Sequence, residues 1–481
     1  MPHSLTERLK VLVLVWAWGT VLFSSTSWIS VTLHYKISIY LLRMEILSWD
    51  HWKSELKEFV DGFITSEGLQ AQTVVDVAQK RHLPGKWDLS LMFVPFVGSP
   101  QISEDDLDQL CELLPKVSRD WRYQIESAER ESKRIMLTMA RLGVSIGAIQ
   151  TVAMLPSDKR RRQPVTLHLD LNLPPGGPDV TLTAERQLIA RDVTDRLLRW
   201  AGYDVTHSDG DCPPASDGAP LVCVTAHPRL PLSGERGDGD GSGVQTERGE
   251  EKRRAARLVV EPVVSAETGR KELELTAAEL RRRRCAALLS AGRSRERGCS
   301  PERAARLAAA SVAHQLLQVS VGSPCRVATG PVCGERPADG ALFALYNGAR
   351  LRALLAGFEE RVAAGEYPPL PPVAQLGHKF SALSTEDEWE LVWRHLLPFP
   401  GLVQACAEAS LAGRPALHRL CSGLEALSHT FSRYYSRTHV LTPPLEHLMD
   451  TLHVRIHLLK AAQIVFDTYF ELLGYEPLER M

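Results

Sequence analysis

The spacing of apolar residues changes twice along this chain. From residue 44 to about 160, "SEDDLDQLCELLPKV" and "RYQIESAERESKRIMLTMARLGV" carry apolar positions three and four apart, which predicts a mostly helical region. After the basic run "SDKRRRQP", Val165, Leu167, Leu169 and Leu171 alternate with Thr166, His168 and Asp170, the pattern of a strand with one apolar face. Ile189, Val193 and Leu197 then recur every four residues beside Leu188 and Leu198, so residues 184–201 are expected to form an amphipathic helix with Gly202 as its C-cap. Further strands are expected in "PLVCVTAHP" and "RLVVEPVV". The Gly-rich, charged stretch between them, near residues 232–256, is read as a surface loop that packs no core. Beyond about residue 300 the helical period takes over. "ALFALYNGARLRALLAGFEERVAAG" is one helix, stopped at Gly365 and the Pro-rich "EYPPLPP", and the remainder reads as a helix bundle. In its last helix Leu448, Leu452, Ile456, Leu459, Phe466, Phe470 and Leu473 form the expected buried stripe.

Four regions follow: an apolar extension over 1–43, a helical region of unknown role over 44–160, an α/β region over 161–335 and an all-α region over 336–481. With 481 residues, 44% of them hydrophobic, the chain can bury more than one core and is not a disordered polypeptide. Its nine cysteines are scattered and never spaced C-x-x-C, which points away from a disulfide framework or zinc knuckle and toward a reducing compartment. The start, "MPHSLTERLKVLVLVWAWGTVLF", has the shape of a signal peptide, yet its apolar run is short for a membrane span. A targeting segment and an extension of little functional weight both fit it; the cysteine usage favours the second, and a cytoplasmic protein with no membrane partner is expected. Because the formal net charge is only −2, contact with nucleic acid has to come from local basic patches.

Two stretches carry a resemblance. "FSRYYSRTHVL" and "VRIHLLKAAQIVFDTYFELLGYEPLERM" resemble the DALR anticodon-binding bundle that closes arginyl-tRNA synthetases, and "LYNGARL" is similar to that bundle's first helix. Upstream, "LHLDLNLPPGGPDVTLTAERQLIARDVTDRLLRWAGYDV" resembles the same enzymes' nucleotide-binding segment, in which a loop leads through H-x-G-H into a helix. Counted from Asp192 and Arg186, the H-x-G-H positions hold Thr181, Leu182, Thr183 and Ala184, and no KMSK-type loop lies between residues 206 and 340. Two threonines and an alanine do not supply the charge or geometry with which imidazoles stabilise an adenylate-forming transition state. "HKFSALS" at 378–384 matches KMSK only loosely and lies among helices. Over roughly residues 160–481 the chain looks like a member of the DALR anticodon-binding domain-containing protein 3 family, through "ALYNGARL", "GEYPPLPPV", "EDEWELVWRHLLPFP" and "FSRYYSRTHVL". The fold this implies is a degenerate class I synthetase-like α/β region followed by an all-α DALR bundle. The function it implies is recognition of arginine tRNAs on behalf of a partner methyltransferase that forms 3-methylcytidine in the anticodon loop, without catalysis, cofactor or DNA. Two rival expectations are a synthetase relative that still activates arginine and a protein-interaction scaffold without RNA.

Unpaired anticodon bases are read by aromatic stacking and by hydrogen bonds to base edges, while arginines and lysines hold phosphates. The resemblance puts Tyr435 and Arg437 within the family's motif. Helical spacing turns Phe431 and one of Tyr434 and Tyr435 inward, so Tyr435 and Arg437 are taken as the exposed pair, against the alternative that all three aromatics are core. Tyr346 and Arg350, four apart on one helix face, are candidates to join them, or else form a plain surface pair. Arg455 and Lys460 are weaker candidates on a helix that could equally be solvated there. Arg281, Arg282, Arg283 and Arg284 form the strongest basic run, able to grip a phosphate backbone or simply to line a solvated helix. His453 and His457 have metal-binding spacing but no third ligand, so packed or surface histidines and no metal are expected.

Overall fold

The computed structural model describes residues 49–66, 71–77, 87–95, 102–155, 163–170, 180–208, 221–225, 256–293, 300–329 and 340–478. The apolar extension 1–43, the charged loop 232–255 and the basic run at 158–162 lie outside the described residues. No described helix is long and apolar enough to cross a membrane.

The first unit corrects the expectation of a mostly helical 44–160. Helix α1 (Trp49–Ser66) is followed by β1 (Ala71–Val77), β2 (Leu89–Pro95), α2 (Glu104–Val117), β3 (Ile125–Glu131), β4 (Arg134–Met139) and α3 (Arg141–Met154). The strands make an antiparallel sheet ordered β1-β2-β4-β3. Helix α1 buries Trp52, Leu56, Val60 and Ile64, and α2 starts at a capping box between Ser103 and Asp106. "RYQIESAERESKRIMLTMARLGV", expected as helix, is instead the β3–β4 hairpin running into α3. Ser132, at φ 58°, makes its turn, and Ile135, Met136, Leu137 and Met139 are buried. The helix-forming charged residues of β3 are tolerated because β3 is an edge strand, where charge also discourages further pairing.

The second unit is the expected α/β region. Strand β5 (Gln163–Asp170) leads to α4 (Leu182–Trp200), β6 (Tyr203–Ser208), β7 (Leu221–Thr225), β8 (Ala256–Val259) and β9 (Val263–Ser265). Strands β5 to β8 form a parallel sheet ordered β6-β5-β7-β8, with Val165 beside Val205 and Leu167 beside Val222. In such a sheet both faces are covered. His168, expected on a polar face, is therefore buried and its Nδ1 lies 2.9 Å from the Ser208 carbonyl. Helices α5 (Ala277–Arg293) and α6 (Pro301–Leu317) follow, and a further strand, β10 (Cys325–Val327), pairs with β9 beyond the point where the strand pattern fades.

The third unit holds α7 (Gly340–Ala363), α8 (Glu386–Glu390) continuing as one π-helical segment through Leu396, α9 (Phe399–Leu411), α10 (His418–Arg437) and α11 (Glu446–Leu473). All the predicted stripe of α11 is buried except Leu448, which is half-buried. The first unit docks directly on this bundle. Trp49 meets Trp393 edge-on at 4.9 Å, Trp393 stacks on Trp389 at 5.3 Å, and the buried Asp88 accepts from both Met139 N and Trp389 Nε1 at 2.8 Å. Aromatic pairs of this kind add about 0.5–1.5 kcal/mol each beyond area burial, so the junction is a shared core rather than a flexible contact.

Candidate RNA-binding site

Helices α7 and α10 lie side by side and run in the same direction: Phe343 meets His429 at 4.7 Å, and further along both helices Arg350 meets Tyr435. The glycine of "LYNGARL" permits the packing beneath. A Cβ on Gly348 would fall 2.8 Å from the Phe470 ring, so its absence lets α7 close onto α11. The neighbouring Asn347 is fully buried and its Nδ2 donates to the Phe343 carbonyl at 2.9 Å. This fixes the helix face that carries Tyr346 and Arg350.

On that face the Arg350 guanidinium lies over two rings, 3.9 Å from the Tyr435 centroid and 5.1 Å from that of Tyr346. Tyr346 is an exposed aromatic, Arg350 and Tyr435 are half-buried, and Phe431 and Tyr434 point into the core. Three of the predicted residues are thus brought together as a cation over two aromatic faces, with no acidic partner for Arg350 among the described residues. The exposed His429 and half-buried Phe343 extend this strip by one step. Sequence reasoning missed them, although Phe343 precedes Tyr346 by three residues on the same helix.

The other predicted cations are engaged elsewhere. Arg437 stays 65% exposed with one nitrogen 3.2 Å from Asp387, which also accepts from Arg433 at 2.8 Å. Arg455 is largely withdrawn, paired at 2.7 Å with the fully buried Glu388, and is corrected from a phosphate ligand to an interior ion pair. Lys460 forms an exposed pair with Glu359 at 2.8 Å. The arginine run is also divided. Arg281 pairs with Glu185; Arg282 and Arg283 both bond Glu279 at 2.7 Å; Arg284 is buried and bonds Ser311 and Gln315. Of these four only Arg282 projects strongly, at 75% exposure, so the run is not the continuous basic stripe its letters suggest.

The H-x-G-H positions are packing residues. Thr181 caps α4 by accepting from Ala184 N at 3.3 Å, and Thr183 Oγ1 accepts from Val263 N at 3.1 Å. Arg186 is fully buried, and its guanidinium donates to the carbonyls of Glu261, Leu316, Val319, Ser320 and Ser323 at 2.7–3.5 Å, with burial lowering its pKa. On the outer side of the same helix, Arg191, Asp192, Asp195, Arg196 and His207 line an open cleft of about 250 Å³. Its charges are satisfied locally: Asp195 takes both Arg199 and His207 at 3.0 Å, and Arg191 takes Asp192 at 2.8 Å. Among the described residues no group of three metal-ligating side chains occurs. His457 Nε2 instead lies 2.8 Å from the Pro371 carbonyl, and His453 is buried with its Nε2 unpaired among the described residues.

A parallel α/β sheet entered through a capped helix and followed by this bundle is the fold of arginyl-tRNA synthetases. Residues 344–481 match the family model for the DALR anticodon binding domain. The fold resembles Thermus thermophilus arginyl-tRNA synthetase with a TM-score of 0.55 over 89% of this chain and 100% of that one; at 13% identity the likeness is one of fold alone. More particularly, the chain is similar to DALR anticodon-binding domain-containing protein 3, at 35% identity to the Mus musculus protein over 181 residues and 39% identity to the Rattus norvegicus protein over 145. Those matches span 36% and 29% of this chain and only 33% and 26% of the relatives' own length.

Proposed function

We propose that this protein is a non-catalytic, cytoplasmic tRNA-binding adaptor, which recognises arginine tRNAs through its DALR bundle and presents their anticodon loop to a methyltransferase that forms 3-methylcytidine. The observation that carries the reading is Arg350 lying between Tyr346 and Tyr435 on the open face of α7 and α10. Unpaired bases stack on such rings, and Arg350 and Arg437 lie within reach of the intervening phosphates. A non-catalytic role is supported by the use of Thr181, Thr183 and Arg186 in internal hydrogen bonds, which leaves none of them to stabilise phosphate charge.

Replacing Tyr435→Ala together with Arg437→Ala is expected to weaken binding of arginine tRNA by about 1–3 kcal/mol per lost stack while leaving the melting temperature nearly unchanged. Unaltered tRNA affinity in the folded double variant would refute the assignment. Arginine-dependent ATP–pyrophosphate exchange by the purified protein would instead favour a working synthetase.

A further inference from the structure

The Pro-rich segment after α7, "EYPPLPPV", is used neither in the strip nor in the degenerate nucleotide motif. Residues Pro368 to Pro372 lie outside helix and sheet; their proline rings fix φ and bias the residue before each proline toward extended backbone, and Pro372 has φ −57° and ψ 148°, values of the polyproline II conformation. The segment is pinned at both ends. Tyr367 is buried, its hydroxyl donating to the Thr442 carbonyl at 2.6 Å and accepting from Arg361 at 2.7 Å, and Leu376 is buried beyond the far end.

Between these anchors α11 grips the backbone. His457 Nε2 lies 2.8 Å from the Pro371 carbonyl. A polyproline helix has three residues per turn, so Pro371 lies on a different ridge from Pro369 and Pro372. One ridge of the polyproline helix therefore faces α11. Another ridge, Pro369 and Pro372, is exposed to solvent, as is Pro368. Proline rings one turn apart are spaced by about 9 Å, a repeat that aromatic-lined grooves of polyproline-recognition domains accept.

Pre-organisation is what separates this segment from a merely stiff loop. A free proline-rich peptide loses entropy when it orders in a groove; here the protein's own anchors have already imposed that order. Nucleic acid does not suit the ridge, which offers no cation and is preceded by the exposed Glu366. That carboxylate, 4.0 Å from its nearest cation, Arg361, is available to a basic residue at the mouth of a partner's groove.

We propose that Pro369 and Pro372 form a docking ridge for a protein carrying a polyproline-recognition domain, with an aromatic groove and a flanking basic residue. The test titrates the full-length protein against a panel of purified WW and SH3 domains by fluorescence anisotropy. At least one domain is expected to bind, with affinity reduced about tenfold or more by Pro369→Ala with Pro372→Ala and unaffected by Tyr435→Ala with Arg437→Ala. His457→Leu should weaken the same complex and His457→Gln, which retains a donor, should restore it. Absence of binding across the panel, or binding that survives the double proline substitution in a protein of unchanged melting temperature, would overturn the proposal. Because the tyrosine–arginine variant reports on tRNA alone, failure of this inference is separable from failure of the tRNA reading.

Discussion

The N-terminus of α4, where the H-x-G-H-like positions lie, and the face of α7 and α10 proposed to meet tRNA dispose their polar groups in opposite ways. At α4, Thr181, Thr183 and Arg186 are turned to internal partners, and the arginine alone ties five carbonyls together. At α7 and α10, Arg350 lies over the rings of Tyr346 and Tyr435, and all three keep surface toward solvent. The difference teaches how polar groups used for packing are told from polar groups left on a surface: substitutions at α4 should act on stability, and substitutions at α7 and α10 on binding.

The largest effect is expected at Arg186. Arg186→Met leaves buried carbonyls without donors and should cost about 3–5 kcal/mol in urea denaturation; a loss below 1 kcal/mol would erase the contrast. Arg350→Ala is expected to do the reverse, weakening tRNA binding by about 1–3 kcal/mol with a small stability change, measured by filter binding and thermal melting.

Acid sharpens the comparison from within the bundle. His395, half-buried in the π-helical segment that continues α8, is pushed from 6.5 down to about 3, first by desolvation and then by Arg394 and Arg433. As pH falls below 6.5 the unfolded chain binds a proton that the folded chain refuses. The stability present above 6.5 is then lost toward pH 3, by up to about 1.4 kcal/mol per pH unit. His395→Gln should flatten that slope in denaturation midpoints measured between pH 7 and 4. The smallest effect belongs to Thr181→Ala, about 1 kcal/mol for a lost helix cap, with tRNA affinity unchanged; a fall in tRNA affinity would show that α4 still faces the ligand.

Much of the α/β region and the bundle was legible because their periods are long and unambiguous. The helix expected at 184–201 is found at Leu182–Trp200; its C-cap is Ala201, and the expected Gly202 takes φ 90° one residue further on. The first unit was not legible. In β3 and β4, charged helix-formers sit at an edge strand, and a window of three-and-four spacing overlaps the true period of two. Candidate tyrosines were found because one helix turn places Tyr346 and Arg350 together, whereas their meeting with Tyr435 depends on packing between helices distant in sequence. The arginines misled for a related reason: charge is visible locally, but the partners of Arg281 and Arg455, Glu185 and Glu388, are 96 and 67 residues away.

The central claim is that the α7–α10 strip is the surface that meets tRNA. Ultraviolet crosslinking of the protein to RNA in cells, with the adducted peptides and co-purifying proteins identified from one sample, tests it most directly. Nucleotide adducts on peptides containing Tyr346 or Tyr435, carried by arginine tRNAs and recovered with a methyltransferase, are the predicted result. Adducts confined to the Arg281–Arg284 helix, or partners recovered with no tRNA, would contradict it.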